Sequence, residues 1–144
     1  MSTEDDLVSA VRPWIVKAEE DFSVAARLLR PAHSCPVQTV GFHAQQCVEK
    51  YLKALMTWRQ IEFPKTHNLA ELVALLPARL ALGIRANEQN TLTAYAAVMR
   101  YPGDYAPMTY EQAQAAVRIA RSSRQAVRKL LPWEALGEHR SMRP

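Results

Sequence analysis

Residues 37–60 constrain this chain most. Their apolar members Val40, Cys47, Val48, Tyr51, Leu52, Leu55 and Trp58 recur at helical spacing but spread over a wide stripe. A helix that is apolar on more than one side must be covered on more than one side. The segment therefore predicts the longest helix of the chain, at the centre of its core, with other helices around it. At 144 residues, 49% of them hydrophobic and 22% charged, the chain can do this as one domain without metal or disulfide staples.

Prolines and caps mark the neighbours. A first helix is predicted over 14–30, with Trp14, Val16, Ala18, Phe22, Ala25, Ala26 and Leu29 near helical spacing, Pro13 at its start and Pro31 at its end. Residues 31–36 form a short connection. After a break at 63–67, a third helix over 68–76 carries Leu69, Leu72, Val73 and Leu76 inward and stops at Pro77. Residues 80–84 are apolar but of undecided state. Leu92, Tyr95, Ala96 and Met99 define a fourth helix over 87–100, followed by a loop at 101–105. Thr109 with Gln112 three residues on has the form of a capping box, so a fifth helix should run from there to about Leu131, before Pro132. With no alternating pattern and no hairpin signal, the fold class is all-α: an up-and-down helical bundle of about five helices over residues 1–133, with 134–144 as a frayed C-terminal tail.

Several function classes are set aside at this point. The acidic start, residues 1–6, lacks the form of a secretory signal, and no apolar run approaches the roughly 20 residues of a membrane span. A cytoplasmic location with no membrane partner is the expectation. Cys35 and Cys47 are too few for a disulfide framework or a zinc site, Cys47 reads as a small apolar side chain, and no metal or other cofactor is expected. The net charge of +4 comes largely from arginine and favours phosphate-bearing or acidic partners, although many small basic proteins bind no nucleic acid.

Candidate site residues fall into four groups. Gln45, Gln46, Glu49, Lys50 and Lys53 form a polar part of the long helix, with Gln45 beside Glu49 and Glu49 beside Lys53. The glutamines offer donors and acceptors suited to a base edge or a helix-helix interface, and a solvated face would have the same composition. Arg118, Arg121, Arg124 and Arg128 share one sector of the fifth helix, opposite Ala116, Ile119, Val127 and Leu130. That stripe could bind phosphate or RNA, meet an acidic partner, or simply face solvent. His43 and His67 are proton-transfer candidates if the fold brings either to Arg100, and ordinary structural histidines otherwise; His33 and His139 have no identifiable partner. Tyr101 and Tyr105 flank Pro102-Gly103 in a loop and could stack a base.

Three stretches carry a likeness to a known family. Phe42, Gln45, Gln46, Glu49, Lys50, Leu52, Lys53 and Ala54 follow the pattern Phe-x-x-Gln-Gln-x-x-Glu-Lys-x-Leu-Lys-Ala; Thr66-His67-Asn68-Leu69 and Arg100-Tyr101-Pro102 come after it in order. From Trp14 to Leu131 the chain resembles the HEPN family, the helical domains often encoded beside a minimal nucleotidyltransferase. The resemblance implies a bundle similar to the helical domain of kanamycin-type nucleotidyltransferases, commonly a homodimer. It implies two roles: a nucleotide- or substrate-binding partner of a separately encoded minimal nucleotidyltransferase, or a metal-independent ribonuclease acting as the toxin of a toxin-antitoxin pair. Gln45, Gln46, Lys50, Lys53, Arg100, Tyr101 and Tyr105 are the candidate nucleotide- or RNA-binding residues, and by the resemblance Tyr105 is the nearest analogue of a tyrosine that partners modify.

The ribonuclease members carry an arginine followed after four to six residues by a histidine. Arg100 matches the first, but Tyr105, Ala106 and Pro107 stand where the second belongs. Cleavage through a ribose 2′-hydroxyl needs a group that exchanges protons near neutrality and a cation for the developing charge. Arg100 can supply the cation, but phenols and carboxylates titrate far from neutrality. The leading expectation is therefore a binding and assembly role. A ribonuclease using Arg100 with a displaced His43 or His67 comes second, and a plain structural bundle third.

Overall fold

The computed structural model describes residues 3–80 and 82–137. Five α-helices and three short 3-10 turns make up the fold, with no strand among the described residues. The helices are α1 (Glu4–Leu28), α2 (Val37–Trp58), α3 (Leu69–Leu75), α4 (Ala86–Arg100) and α5 (Tyr110–Leu130).

α2 is the hub. It packs against α1, α5, α4 and α3, and 14 of its 22 residues are buried, as its wide apolar stripe requires. Trp14 of α1 lies beside Lys53 while Asp21 reaches back to His43, so α1 runs antiparallel to α2. Met108 at the entry to α5 sits on Gly41 while Arg128 near its end reaches Tyr51, so α5 runs in the same direction as α2. Gly41 makes the first contact possible: a Cβ there would lie 2.6 Å from the Met108 methyl and 3.2 Å from the Tyr95 ring.

α2 ends at Trp58, two residues before the expected boundary. Gln60 adopts φ 57°, and the N–H groups of Gln60 and Ile61 donate back to the carbonyls of Thr57 and Met56, which closes the helix in a Schellman turn. The other departure is at the N-terminus, where α1 begins at Glu4 rather than after Pro13. Thr3 and Asp6 exchange hydrogen bonds in a capping box, and Val8 and Val11 extend the buried stripe of Ile15, Ala18 and Ala25. Pro13 lies inside the helix on its solvent face, so the Ser9 carbonyl that it leaves without an intrahelical donor stays open to water. Val16, expected to face inward, is 54% exposed, and Met99 of α4 is also exposed.

α3 and α5 start where local chemistry predicts, with Asn68 accepting from Glu71 N–H and Thr109 exchanging bonds with Gln112. The undecided stretch is a 3-10 turn, Ala78–Leu80, followed by left-handed residues Leu82 and Gly83 that redirect the chain into α4. The expected tail is partly structured. Trp133–Leu136 forms a 3-10 turn packed on α1, with Ala135 buried and Arg12 donating two hydrogen bonds to the Glu134 carbonyl. Residues 138–144, His139 included, lie outside the described residues. No helix among the described residues is long and apolar enough to cross a membrane.

Candidate functional site

Arg100 is the last residue of α4, a position where a cation complements the helix dipole. Its guanidinium lies over the Phe42 ring of α2, 5.4 Å from the ring centre, and it forms no ion pair among the described residues. The same ring meets His43 edge-on, with centroids 5.2 Å apart and planes at 87°. Arg100 and His43 thus share one aromatic platform. His43 Nδ1 is 2.8 Å from Asp21 Oδ1 of α1, and Asp21 Oδ2 accepts from Lys50 Nζ, which stands on the same face of α2 further along the helix. Asp21 is buried, whereas His43 and Lys50 are partly accessible.

The loop beyond Arg100 is exposed from Tyr101 to Pro107. The Tyr105 hydroxyl donates to the Tyr101 carbonyl at 3.0 Å, and its ring lies over Gly103, where a Cβ would come within 3.3 Å of it. Tyr105, Ala106 and Pro107 also line an apolar cleft of about 220 Å³ with Gln38, Tyr95, Val98 and Met108. Both tyrosines remain accessible to a ligand, and the fold places no imidazole in this loop.

Gln45, Gln46, Glu49 and Lys53 of the long helix are buried rather than solvated, and their hydrogen bonds turn inward. Gln46 Nε2 donates to Gln45 Oε1 at 2.6 Å, and Gln45 Nε2 donates to Glu49 Oε1 and to the His67 carbonyl. Lys53 Nζ donates to Glu49 Oε2 and to the Thr66 carbonyl, and His67 Nδ1 is 2.9 Å from Glu49 Oε1. These residues clamp the Thr66-His67 turn onto α2. Lys53 is also enclosed by the rings of Trp14 and Phe63. Gln45 and Lys53, expected to contact nucleotide or RNA, are buried in the structure, and each donates two side-chain hydrogen bonds within the fold. His67 remains exposed but shares no hydrogen bond or ring contact with Arg100. Of the two displaced-histidine candidates, the fold brings only His43 to the Arg100 platform.

The arginine sector on α5 is split. Arg124 grips Glu19 of α1 through Nε and Nη2 at 2.7 and 2.8 Å, and Arg128 joins them at 3.1 Å while reaching the Tyr51 hydroxyl. Burial pushes the Glu19 carboxyl up, but the bonds from Arg124 outweigh it with help from Tyr51 and Arg128, so its pKa falls below the ordinary value. Only Arg118 and Arg121 remain exposed without a carboxylate partner, Arg121 lying over Phe22. Leu130, expected on the apolar side, is 40% exposed.

Sequence reasoning missed Glu19 and Asp21, buried or half-buried acids that hold cations on other helices, and it did not see Phe42 as a platform. The available signal was two acids, 19 and 21, on a stripe next to Ala18, Phe22 and Ala25, where an acid needs a partner to be buried. Cys47 lies close to both acids. Burial first, then the two carboxylates, raises its thiol pKa well above the usual value, which makes it an inert core side chain. Among the described residues, no group of three or more His, Cys, Asp or Glu is placed to hold a metal ion.

A helical bundle with an open arginine at the end of its fourth helix defines a class, and comparison assigns the family. The HEPN domain matches residues 11–130, and the chain belongs to that family. Comparison with curated proteins and with solved structures returned no match.

Proposed function

We propose that this protein is a nucleotide- or RNA-binding HEPN component that acts with a separately encoded minimal nucleotidyltransferase, in a toxin-antitoxin type of pair, and works as a homodimer. HEPN domains often bind nucleotide or RNA or cleave RNA, and often dimerise. One observation carries the binding reading. Arg100 is a cation held on an aromatic face without a carboxylate, in contrast to Arg124 and Arg128, which share the carboxylate of Glu19. An unneutralised guanidinium beside an aromatic ring and two exposed tyrosines suits a phosphate with its attached base. The partner and the dimer rest on the family alone.

The test is binding of a short single-stranded RNA and of ATP, by fluorescence anisotropy and calorimetry, with wild type and Arg100→Ala. A loss of about tenfold or more is expected for removing one charge-assisted phosphate contact. Equal binding by both proteins would remove Arg100 from the site. Co-purification with the product of a neighbouring nucleotidyltransferase gene, and light scattering of the isolated protein, decide the partner and the dimer.

A second reading, a metal-independent ribonuclease, is favoured by one specific contact. Asp21 holds His43, an imidazole, beside the ring that carries Arg100. A cation and a proton acceptor therefore flank the same platform, although the loop histidine of the ribonuclease pattern is missing.

A further inference from the structure

We propose that the cleft between the start of α4 and the middle of α5 binds a small amphiphilic acid, one carboxylate or phosphate head carried on an apolar body. The site is separate from the one at Arg100, because Glu88 in the first turn of α4 and Arg100 in its last stand about 18 Å apart along the helix. α4 and α5 both pack on α2 but make few contacts with each other. The space left between them is a cleft of about 330 Å³, closed at one end by Leu82 and Ile84 of the segment that leads into α4. That volume is more than a bare ion fills, and it falls within the roughly 300–1,000 Å³ of small-molecule sites.

One wall carries an unmet polar group. Ser123 of α5 lines the cleft and is 1% exposed, and among the described residues its hydroxyl is the one buried side-chain oxygen or nitrogen without a hydrogen-bond partner. A buried hydroxyl left unpaired weakens a fold. A helical serine can avoid that by bonding the carbonyl four residues back, and Ser123 does not. Ser122 adjoins it on the same cleft, and Arg118, four residues before Ser122, shares that face of the helix. Arg118 has no ion pair among the described residues. α5 therefore brings a guanidinium and two hydroxyls to one cleft, a donor set suited to the oxygens of an acid.

The opposite wall limits what that acid can be. The Glu88 carboxylate accepts from the Arg85 N–H at 2.9 Å and from Arg85 Nη2 at 3.3 Å, so these two charges offset each other and Arg118 carries the uncompensated one. The bonds from Arg85 hold the Glu88 carboxyl below its ordinary pKa, and it is ionised at neutral pH. A second acidic group on the ligand would meet that carboxylate, which selects a single head over a polyanion. The remaining lining suits an apolar body, with Leu82 and Ile84 facing Ile119 across the cleft. Ile84 is fixed by Gln89, whose Nε2 donates to its carbonyl at 2.8 Å. Leu82 is held at φ 61°, a left-handed conformation unfavourable for leucine and of the kind found where a backbone shapes a ligand site.

The experiment titrates the full chain, carbon-13 labelled in its isoleucine methyl groups, with hexanoate and with hexyl phosphate. Hexanol, acetate and inorganic phosphate serve as controls. The two probes that join an acid to an apolar body should shift the Ile84 and Ile119 signals saturably, and the controls should not. The tighter probe identifies the head, and either preference supports the site. Arg118→Ala and Ser123→Ala should each weaken binding about tenfold, whereas Arg121→Ala and Arg100→Ala should leave it unchanged. Without ligand, Ser123→Ala should be at least as stable as wild type, because it removes a hydroxyl that has no partner. A lowered unfolding midpoint for Ser123→Ala would show that the hydroxyl serves the fold, and overturns the proposal. So does the absence of saturable shifts with both probes, hexanol binding as tightly as hexanoate, or an Arg121→Ala loss equal to that of Arg118→Ala. Loss of probe binding in Arg100→Ala would place the acid at the Arg100 site instead and overturns the proposal as well.

Discussion

Glu19 of α1 and Arg124 of α5 meet in a two-pronged pair, with Nε and Nη2 at 2.7 and 2.8 Å from the two carboxylate oxygens, across 105 residues of chain. Both side chains are mostly buried, and α1 has few other contacts with α5, so this pair does much to set the spacing of the two helices.

Replacing Glu19 by alanine strands Arg124 and Arg128 in a half-buried setting and should cost about 3 kcal/mol. Arg124→Lys should recover only part of the wild-type stability, since an ammonium cannot present a planar fork. Urea unfolding at neutral pH measures both. A loss under about 1 kcal/mol for Glu19→Ala would show that the pair contributes little.

The same carboxylate sets an acid dependence. Its pKa is lowered in the folded protein, so the stability it contributes is fully present above the ordinary carboxylate value of 4.5 and is lost as pH falls through the folded value. The difference in unfolding free energy between wild type and Glu19→Gln should therefore be constant from pH 7 to about pH 5 and shrink below that. The lowered carboxyls of Asp6 and Glu88 are common to both proteins and cancel in the difference.

Glu49 and Lys53 form a covered pair, at 3% and 8% side-chain exposure. Glu49→Ala leaves the ammonium buried between Trp14 and Phe63 and should cost about 3–5 kcal/mol. Removing both charges, as Glu49→Leu with Lys53→Met, should cost less than Glu49→Ala alone. Chemical denaturation of the three proteins checks the order, and the reverse order would mean that the ammonium reaches water.

The arginines of α5 should separate by assay. Arg118→Ala and Arg121→Ala should change stability by at most about 1 kcal/mol, and each should lower the slope of RNA affinity against salt by about one if it touches phosphate. Arg124→Ala and Arg128→Ala should instead lower the unfolding midpoint. Salt titrations and thermal melts of the four variants distinguish the two pairs.

What the sequence made legible was mostly local. The starts of α3 and α5 follow from Asn68 and from Thr109 with Gln112, side chains that bond within one turn of themselves. α1 was misjudged because Pro13 is equally at home as a first helical residue or on an exposed face, and only the burial of Val8 and Val11 decides between them. On α5, a helical wheel puts four arginines in one sector. Which of them face Glu19 is set by the approach of α1, and no periodicity in α5 encodes it. The Gln45 to Lys53 cluster was visible as a pattern, but its burial depends on the 66–67 turn folding over it. Arg100 was visible as a residue of interest, whereas the Phe42 ring beneath it and the Asp21–His43 contact come only from three helices meeting.

The two glutamines, the glutamate and the buried lysine of the second helix spend their hydrogen bonds on one another and on fastening a turn. A substitution among them would first unfasten that turn, so a loss of ligand binding in such a variant reports on the fold before it reports on a binding surface. The end of the fourth helix is joined to none of these bonds, so its arginine can be changed with the fastening left whole.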